Sequence, residues 1–154
     1  MNVVVELARE PATAGLSGLE QLRALIASGR RPGIAESLDF DLAEVEAGRA
    51  VFEGTPGLHA YNPIGAVHGG YAATLLDSAC GCAVHSSLNA TQAYTTLELK
   101  VAYHKAITQK TGVVRAEGRV VSIGRRVAYA EAKLTDSDGR LYASATSTLL
   151  VIES

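Results

Sequence analysis

The sequence is poor in the features that mark several large classes of protein. It has only two cysteines, at positions 80 and 82, which is too few for a disulfide scaffold and too close in a helix for the side chains to face each other. The net charge is only −2 and the pI is near 6.1, which argues against nucleic acid as the main partner. No apolar run is long enough to cross a membrane, and Glu6, Arg9 and Glu10 interrupt the segment where a signal peptide needs an apolar core. These absences predict a reduced, cytoplasmic protein that binds neither nucleic acid nor membrane.

Several motifs of known chemistry are missing as well. The sequence has no Gly-x-Ser-x-Gly motif of serine hydrolases, no glycine-rich phosphate loop and no dinucleotide-binding fingerprint. His59, His85 and His104 follow no metal-ligand spacing, so we expect structural or surface roles for them and no bound metal. Free cysteine behaves as a small hydrophobe, and Cys80 and Cys82 are therefore predicted to fill space in the core.

What remains has the composition of one globular domain. The 154 residues are 47% hydrophobic and 19% charged, and a chain of this length buries enough surface to fold without a metal or a disulfide. We predict an N-terminal arm and helix over residues 1–33, in which residues 1–15 form a loose arm and Leu19, Leu22 and Leu25 repeat at helical spacing. The main domain is predicted to span residues 34–154.

The clearest secondary-structure signal is a long helix in the middle of the chain. Seven apolar residues repeat at helical spacing over about three and a half turns: Ala72, Leu75, Leu76, Ala79, Cys80, Ala83 and Val84. The other face carries small or polar residues, among them Thr74, Ser78 and Gly81. This composition predicts that neighbouring backbone approaches the helix closely on both sides.

The rest of the domain has the pattern of β-strands. Alternating residues and turn signals at Gly48 and at 136–139 predict strands over 34–46, 49–55, 95–104, 112–123, 126–135 and 141–152. Strict alternation in 95–104 places Leu97, Leu99 and Val101 on one face and Thr96 on the other. The order of elements predicts an α+β fold, an antiparallel sheet with one principal helix on one face. Because one helix covers one face only, we expect a dimer or a larger assembly.

The loop before the long helix, 61–70, has the chemistry of an anion site. Gly69 and Gly70 open the helix, where unpaired amides and the helix dipole favour negative charge, such as the oxyanion of a carbonyl under attack. Asp77 is the only acidic residue in 54–97 and lies off the apolar stripe. A carboxylate there is either solvated or bonded to neighbouring backbone, or it has a chemical role.

The motif Asn62-x5-His68-Gly69-Gly70-x6-Asp77, followed by the strand with Thr95 and Thr96, resembles the hotdog-fold acyl-CoA thioesterases of the phenylacetic-acid-degradation (PaaI) type, related to the 4-hydroxybenzoyl-CoA thioesterases. The segments 124–129 and 138–140 are also similar to the family, and the resemblance covers about 34–152. It implies a hotdog fold, a long central helix wrapped by an antiparallel β-sheet. It also implies hydrolysis of an acyl or aryl thioester to a carboxylic acid and free coenzyme A. No separate cofactor is expected, because coenzyme A is part of the substrate.

The resemblance implies a role for each matching residue. Asp77 would be the general base that activates water, or the nucleophile that attacks the thioester carbon. The Gly69 amide would donate to the thioester oxygen, and Asn62 would hold the water or the carbonyl. His68 would position the loop or the sulfur. Thr96, from a strand that belongs to the neighbouring subunit in the family, would assist the water, so that each site needs two chains.

The remaining expectations concern substrate contacts and assembly. Gly70 is expected to contact the substrate. Arg125 and Arg126 either bind a phosphate of coenzyme A or form an ordinary charged turn, and the strand pattern turns one of them inward. The family implies a homo-oligomer, a homotetramer built as a dimer of dimers. Two other functions stay open: a hotdog enoyl-CoA hydratase, and a non-catalytic module that binds acyl-CoA or acyl-carrier protein.

Overall fold

The structure is a computed structural model that describes residues 13–153. Within this range there are three α-helices, α1 (Gly18–Ser28), α2 (Gly33–Leu38) and α3 (Gly69–His85), with short 3-10 turns at Leu58–Ala60 and Gln109–Thr111. The same range contains six strands: β1 (Phe40–Glu46), β2 (Arg49–Gly54), β3 (Gln92–Tyr103), β4 (Val114–Ile123), β5 (Val127–Asp136) and β6 (Leu141–Glu153).

The six strands form one antiparallel sheet around α3. Their order is β1-β2-β4-β5-β6-β3, so β1 and β3 are the two edges. All seven residues of the predicted apolar stripe on α3 are at most 1% exposed. Burial of a leucine such as Leu75 or Leu76 stabilises the fold by about 1.5–3 kcal/mol each. The predicted α+β hotdog architecture, a long helix wrapped by an antiparallel sheet, is confirmed.

The small residues around α3 allow the close approach that the sequence predicts. A Cβ at Gly118 on β4 would lie 2.3 Å from the carbonyl oxygen of Ala79, so only glycine lets this strand cross the helix there. On the other side, a Cβ at Gly81 would lie 2.5 Å from the hydroxyl of Tyr94 on β3. The helix therefore packs against the backbone of β4 on one side and against an aromatic ring on the other.

Helix α1 packs against this domain. It begins with a capping box between Ser17 and Glu20, ends at Gly29 in a left-handed conformation, and buries Leu22. The helix predicted within 1–33 is thus confirmed, while residues 1–12 of the predicted arm lie outside the described residues. The division of the chain at residue 33 stays a prediction.

The prediction of a strand from residue 34 is wrong for its first part. Residues Gly33–Leu38 form α2, whose Ala35 is buried, and β1 begins only at Phe40. Asp39 between them has φ of 57°, a left-handed conformation that caps and ends the helix. Alternation of apolar and polar residues holds only after this cap, which is why the strand starts there.

The predicted faces of β3 are also wrong, because the strand contains a β-bulge. The pairing of β3 with β6 shifts register between Thr96 and Glu98, which leaves Leu97 as the extra residue. Leu97 is 56% exposed, whereas Leu99 and Val101 pack against the core. The bulge changes the phase of alternation, so that Thr96 lies on the same side as the core-facing residues that follow it.

Candidate active site

The bulge in β3 brings Thr96 to Asp77. The Thr96 hydroxyl donates to Asp77 Oδ1 at 3.0 Å, and both side chains are half-buried. Asp77 Oδ2 accepts no hydrogen bond from the described residues, so one carboxylate oxygen is held and the other is available. Burial raises the pKa of Asp77, and the Thr96 hydrogen bond opposes this shift. A fixed carboxylate with a raised pKa is suited to accept a proton from water.

Asp77 and Thr96 line a cavity of about 750 Å³. Its walls come from the small-residue face of α3, from α1 and from the strands β1, β2 and β3. Apolar side chains such as Leu22, Phe40 and Phe52 provide much of the lining. A largely apolar cavity beside a partly desolvated carboxylate is the usual form of a small-molecule site.

At the N-terminus of α3 the two glycines have different environments. His68 is the N-cap, and its Nδ1 accepts from the Gly70 amide at 2.8 Å. The Gly69 amide donates no hydrogen bond to any described residue, so it remains available to a ligand at the positive end of the helix dipole. His68 therefore holds the loop at the start of α3. Gly70 is expected to contact the substrate, but its amide N–H is already bonded to His68.

Tyr103 at the end of β3 is a contact that the sequence does not predict as part of the site. Its hydroxyl donates to the Gly69 carbonyl at 2.6 Å, and a Cβ at residue 69 would lie 3.1 Å from its ring. The ring fixes the first turn of α3 while remaining 54% exposed. No motif signals this role, because it depends on the long-range pairing of β3 with β6.

Asn62 organises the loop that leads to α3. Its Oδ1 accepts from the amides of Ile64 at 3.1 Å and Ala66 at 3.2 Å. These bonds close the turn that carries the chain back to Val67, which pairs with Tyr61. The side-chain oxygen is thus used within the loop, and only the amide NH2 of Asn62 is left for a water or a carbonyl.

The two halves of the site are too far apart to act together within one chain. Gly69 and Asp77 are eight residues apart on α3, which is about 12 Å along the axis of an α-helix. An oxyanion donor and a base must both lie within about 3 Å of one reacting group. The expectation that Thr96 comes from a neighbouring subunit is wrong, because β3 of the same chain carries it to Asp77.

Arg125 and Arg126 lie in the turn between β4 and β5, ahead of the first residue of β5. Both are exposed and neither forms an ion pair with a described residue, so the expectation that one of them points inward is wrong. Val127 and Thr95 both pair with Leu150 on β6, which places the turn two strands away from Thr96, or about 10 Å across the sheet.

The other titratable candidates have structural contacts. Each histidine is hydrogen-bonded through its ring nitrogen Nε2. The partner of His59 is the Leu38 carbonyl, the partner of His85 is the side-chain oxygen of Gln21, and the partner of His104 is the Ser144 hydroxyl. Cys80 is fully buried, as predicted, while Cys82 lines the cavity and burial raises its pKa to about 12.

No three His, Cys, Asp or Glu residues in 13–153 are grouped to hold a metal. No helix in this part of the chain is long and apolar enough to cross a membrane.

Residues 64–143 match the thioesterase superfamily. This segment contains His68, Gly69, Asp77, Thr96 and both turn arginines, whereas Asn62 lies just before it. A 1,4-dihydroxy-2-naphthoyl-CoA hydrolase of Listeria monocytogenes is 27% identical over 119 residues, which are 77% of this chain and 95% of the hydrolase.

Solved structures share the fold of this chain. A conserved protein from Pseudomonas aeruginosa superposes with a TM-score of 0.74 at 30% identity, covering 79% of this chain and 95% of that protein. The E. coli PaaI protein from the phenylacetic acid degradation operon superposes with a TM-score of 0.77, covering 89% of this chain and 95% of that protein. At 17% identity, the likeness to PaaI shows the fold.

Proposed function

The chain belongs to the thioesterase superfamily, and from this premise we propose that it hydrolyses acyl or aryl thioesters of coenzyme A to a carboxylic acid and free coenzyme A. The observation that carries the proposal is the Asp77–Thr96 pair at the apolar cavity. The 1,4-dihydroxy-2-naphthoyl-CoA hydrolase among the similar proteins supports a coenzyme A thioester as the substrate class. We expect no further cofactor, because coenzyme A arrives as part of the substrate.

Asp77 acts in this proposal as the general base. Its free oxygen takes a proton from a water, which Thr96 helps to orient, and the water oxygen bonds to the thioester carbon. The carbonyl oxygen becomes an oxyanion, which accepts a hydrogen bond from the Gly69 amide N–H. When the carbon–sulfur bond breaks, the leaving thiolate takes the proton back from Asp77. Direct attack by Asp77 is the second route, and its short side chain disfavours that route.

The 12 Å between Gly69 and Asp77 leads us to place the oxyanion donor in a second copy of the chain. In this arrangement one copy supplies Asp77 and Thr96, and the other supplies Gly69 with its loop. Exposed apolar residues support an interface: Leu97 on β3 and Val121, Ile123 and Tyr129 at one end of β4 and β5. These side chains lie near one another, because Tyr129 and Glu98 pair with the same residue of β6, Thr148.

We therefore expect the purified protein to be at least a dimer, and most simply a dimer of dimers. Light scattering or sedimentation at micromolar concentration measures this directly. A species of 16.1 kDa alone, with full activity, would contradict the two-chain site.

The test of the function is thiol release from a panel of acyl-CoA and aryl-CoA thioesters, followed with a thiol reagent. Thioesterase activity gives one thiol for each carboxylic acid formed. Loss of enoyl absorbance without thiol release would instead support the hydratase. Saturable binding of acyl-CoA with no turnover by the intact oligomer would support the binding module.

Arg125 and Arg126 are proposed to bind a phosphate of coenzyme A, since both guanidinium groups are exposed and unpaired within 13–153. Arg125→Ala or Arg126→Ala should raise KM several-fold and change kcat little, because a phosphate contact is the same in ground and transition states. Steady-state kinetics with one acyl-CoA measure the two constants. Arg119→Ala is the matched control, because this arginine pairs with Glu117 on β4. If both variants keep the wild-type KM, the phosphate site lies elsewhere.

A further inference from the structure

Two polar side chains, Gln21 and His85, line the cavity beside Asp77. We infer that α1 forms the outer wall of the acyl pocket and that the Gln21–His85 pair forms its floor, so that these residues set the length of acyl group that is hydrolysed. The inference rests on the proposed function, because it takes the thioester to lie at Asp77.

The cavity follows one face of α3. Thr74, Asp77, Ser78, Cys82 and His85 all line it, and these residues repeat at three- and four-residue spacing on the same helix face. From Asp77 to His85 is eight residues, or about 12 Å along the helix. The opposite wall is α1, which contributes Leu22, Ala24 and Leu25. The space is therefore a channel that runs from the carboxylate to His85.

The floor of the channel is a defined hydrogen-bonded pair. The Gln21 amide nitrogen donates to the Leu16 carbonyl at 2.9 Å, which turns Gln21 Oε1 toward His85 Nε2 at 3.0 Å. A carbonyl oxygen only accepts, so Nε2 carries the proton. Burial lowers the pKa of His85 to about 4, so the ring is neutral at pH 7. A longer acyl chain would have to break this bond and leave both groups unpaired in a buried setting.

Both ends of α1 are fixed to the domain, so the wall is not a free flap. At the start of α1, the Gly18 amide donates to the Leu88 carbonyl at 3.0 Å, and a Cβ at Gly18 would lie 1.8 Å from the His85 carbonyl oxygen. Just beyond its end, Arg31 bonds to Asp39 at 2.8 Å and to Asp41 at 2.6 Å. The channel length is thus set by the folded state.

This length indicates the substrate class. Carbon–carbon bonds of about 1.5 Å advance an extended chain by roughly 1.25 Å each, so a channel of about 12 Å takes an acyl chain of about eight to ten carbons. We therefore expect medium-length acyl groups, or aryl groups of similar length, to be hydrolysed most efficiently. Chains of fourteen carbons or more should react poorly.

The experiment compares Ala24→Phe with Ala27→Phe, using straight-chain acyl-CoAs of two to sixteen carbons below micelle-forming concentrations. Ala24 lines the channel, whereas Ala27 is exposed on the same helix and does not line it. Ala24→Phe should lower kcat/KM for octanoyl-CoA by about tenfold or more, the size of effect expected when a pocket loses space. The ratio of kcat/KM for octanoyl-CoA to that for acetyl-CoA should fall to a similar extent, and Ala27→Phe should leave the whole profile unchanged.

A second variant tests the floor in the opposite direction. Gln21→Ala opens the end of the channel, and the ratio of kcat/KM for tetradecanoyl-CoA to that for octanoyl-CoA should rise by about tenfold. If the wild type is active and Ala24→Phe loses activity equally at all acyl lengths, or at none, the inference is overturned and the thioesterase proposal stays intact. A wild-type enzyme that releases thiol from no acyl-CoA overturns both.

Discussion

Asp77→Asn should lower kcat by about 10²–10⁴-fold, the range that general-base catalysis contributes. The amide keeps the shape of the carboxylate, and its oxygen can still accept from the Thr96 hydroxyl that now lies at 3.0 Å. Substrate binding depends on the channel and on phosphate contacts, so KM should change little. Steady-state thiol release with one substrate measures both constants, and sedimentation checks that the oligomer persists.

The pH dependence of the same variant separates a base from a structural carboxylate. Because burial raises the pKa of Asp77, the wild-type kcat should fall with decreasing pH through a midpoint above the ordinary aspartate value of about 3.9. The small residual rate of Asp77→Asn should lack this acid limb. A variant that keeps both the rate and the limb would show that Asp77 has no part in the chemical step.

Stability gives a further control, with a defined sign. A carboxyl group whose pKa is raised on folding binds its proton more tightly in the folded state, so its ionisation costs stability once the pH exceeds that raised pKa. Asparagine carries no such charge. The Tm of Asp77→Asn at pH 7 should therefore equal or exceed that of wild type, whereas a loss of activity through unfolding would be accompanied by a lower Tm.

Thr96→Ala should cost less than Asp77→Asn, because the hydroxyl orients the carboxylate and the water but does not take the proton. Thr96→Ser is the matched control, since it retains the hydroxyl and removes only a methyl group. Near-wild-type turnover in the serine variant, with a loss in the alanine variant, assigns the effect to the Thr96–Asp77 hydrogen bond.

Periodicity in the sequence predicts α3 and most of the sheet because their burial is regular. The helix stripe from Ala72 to Val84 is buried throughout, and the hairpin at 136–139 connects β5 and β6 as expected. The turn at Gly48 also forms between β1 and β2, where φ of 76° favours glycine. These elements depend on contacts between residues close in sequence or on a repeated pattern.

The parts that the sequence does not predict depend on irregular or long-range structure. The bulge at Leu97 breaks strict alternation and turns Thr96 toward Asp77, whereas the repeating pattern places it on the opposite face. The resemblance gives Thr96 as a candidate site residue, and the bulge explains how its hydroxyl reaches the carboxylate. The contact of α1 with the cavity likewise depends on how Gly18 meets the end of α3, which no local pattern encodes.

Gly69→Pro should lower kcat by about 10²–10³-fold, the loss expected when one oxyanion donor is removed. Proline is favoured at the first position of a helix, where the missing N–H has no partner within the helix. His68 before it has φ of −59° and ψ of 136°, a conformation that a following proline prefers. The backbone at this point can therefore accept the change.

Gly69→Ala is the control for the added carbon. Either substitution places a Cβ 3.1 Å from the Tyr103 ring, so steric effects on the first turn of α3 are shared by the two variants. Only proline also removes the amide proton. The ratio of the two kcat values therefore isolates the hydrogen bond, and equal losses in the two variants would remove Gly69 from the role of oxyanion donor.

Mixed oligomers of Asp77→Asn and Gly69→Pro chains test the division of the site between two copies. In a heterodimer, one site combines the intact Asp77 of the second chain with the intact Gly69 of the first, and the other site carries both changes. The purified heterodimer should therefore have about half of the wild-type activity, because one of its two sites is intact, although each variant alone is nearly inactive. Co-refolding of differently tagged chains, with purification through both tags, measures this recovery. If a site lay within one chain, every site in the mixture would carry a change and activity would not exceed that of the single variants. Recovery of activity would thus place the base and the oxyanion donor on different subunits, as the 12 Å between them on α3 requires.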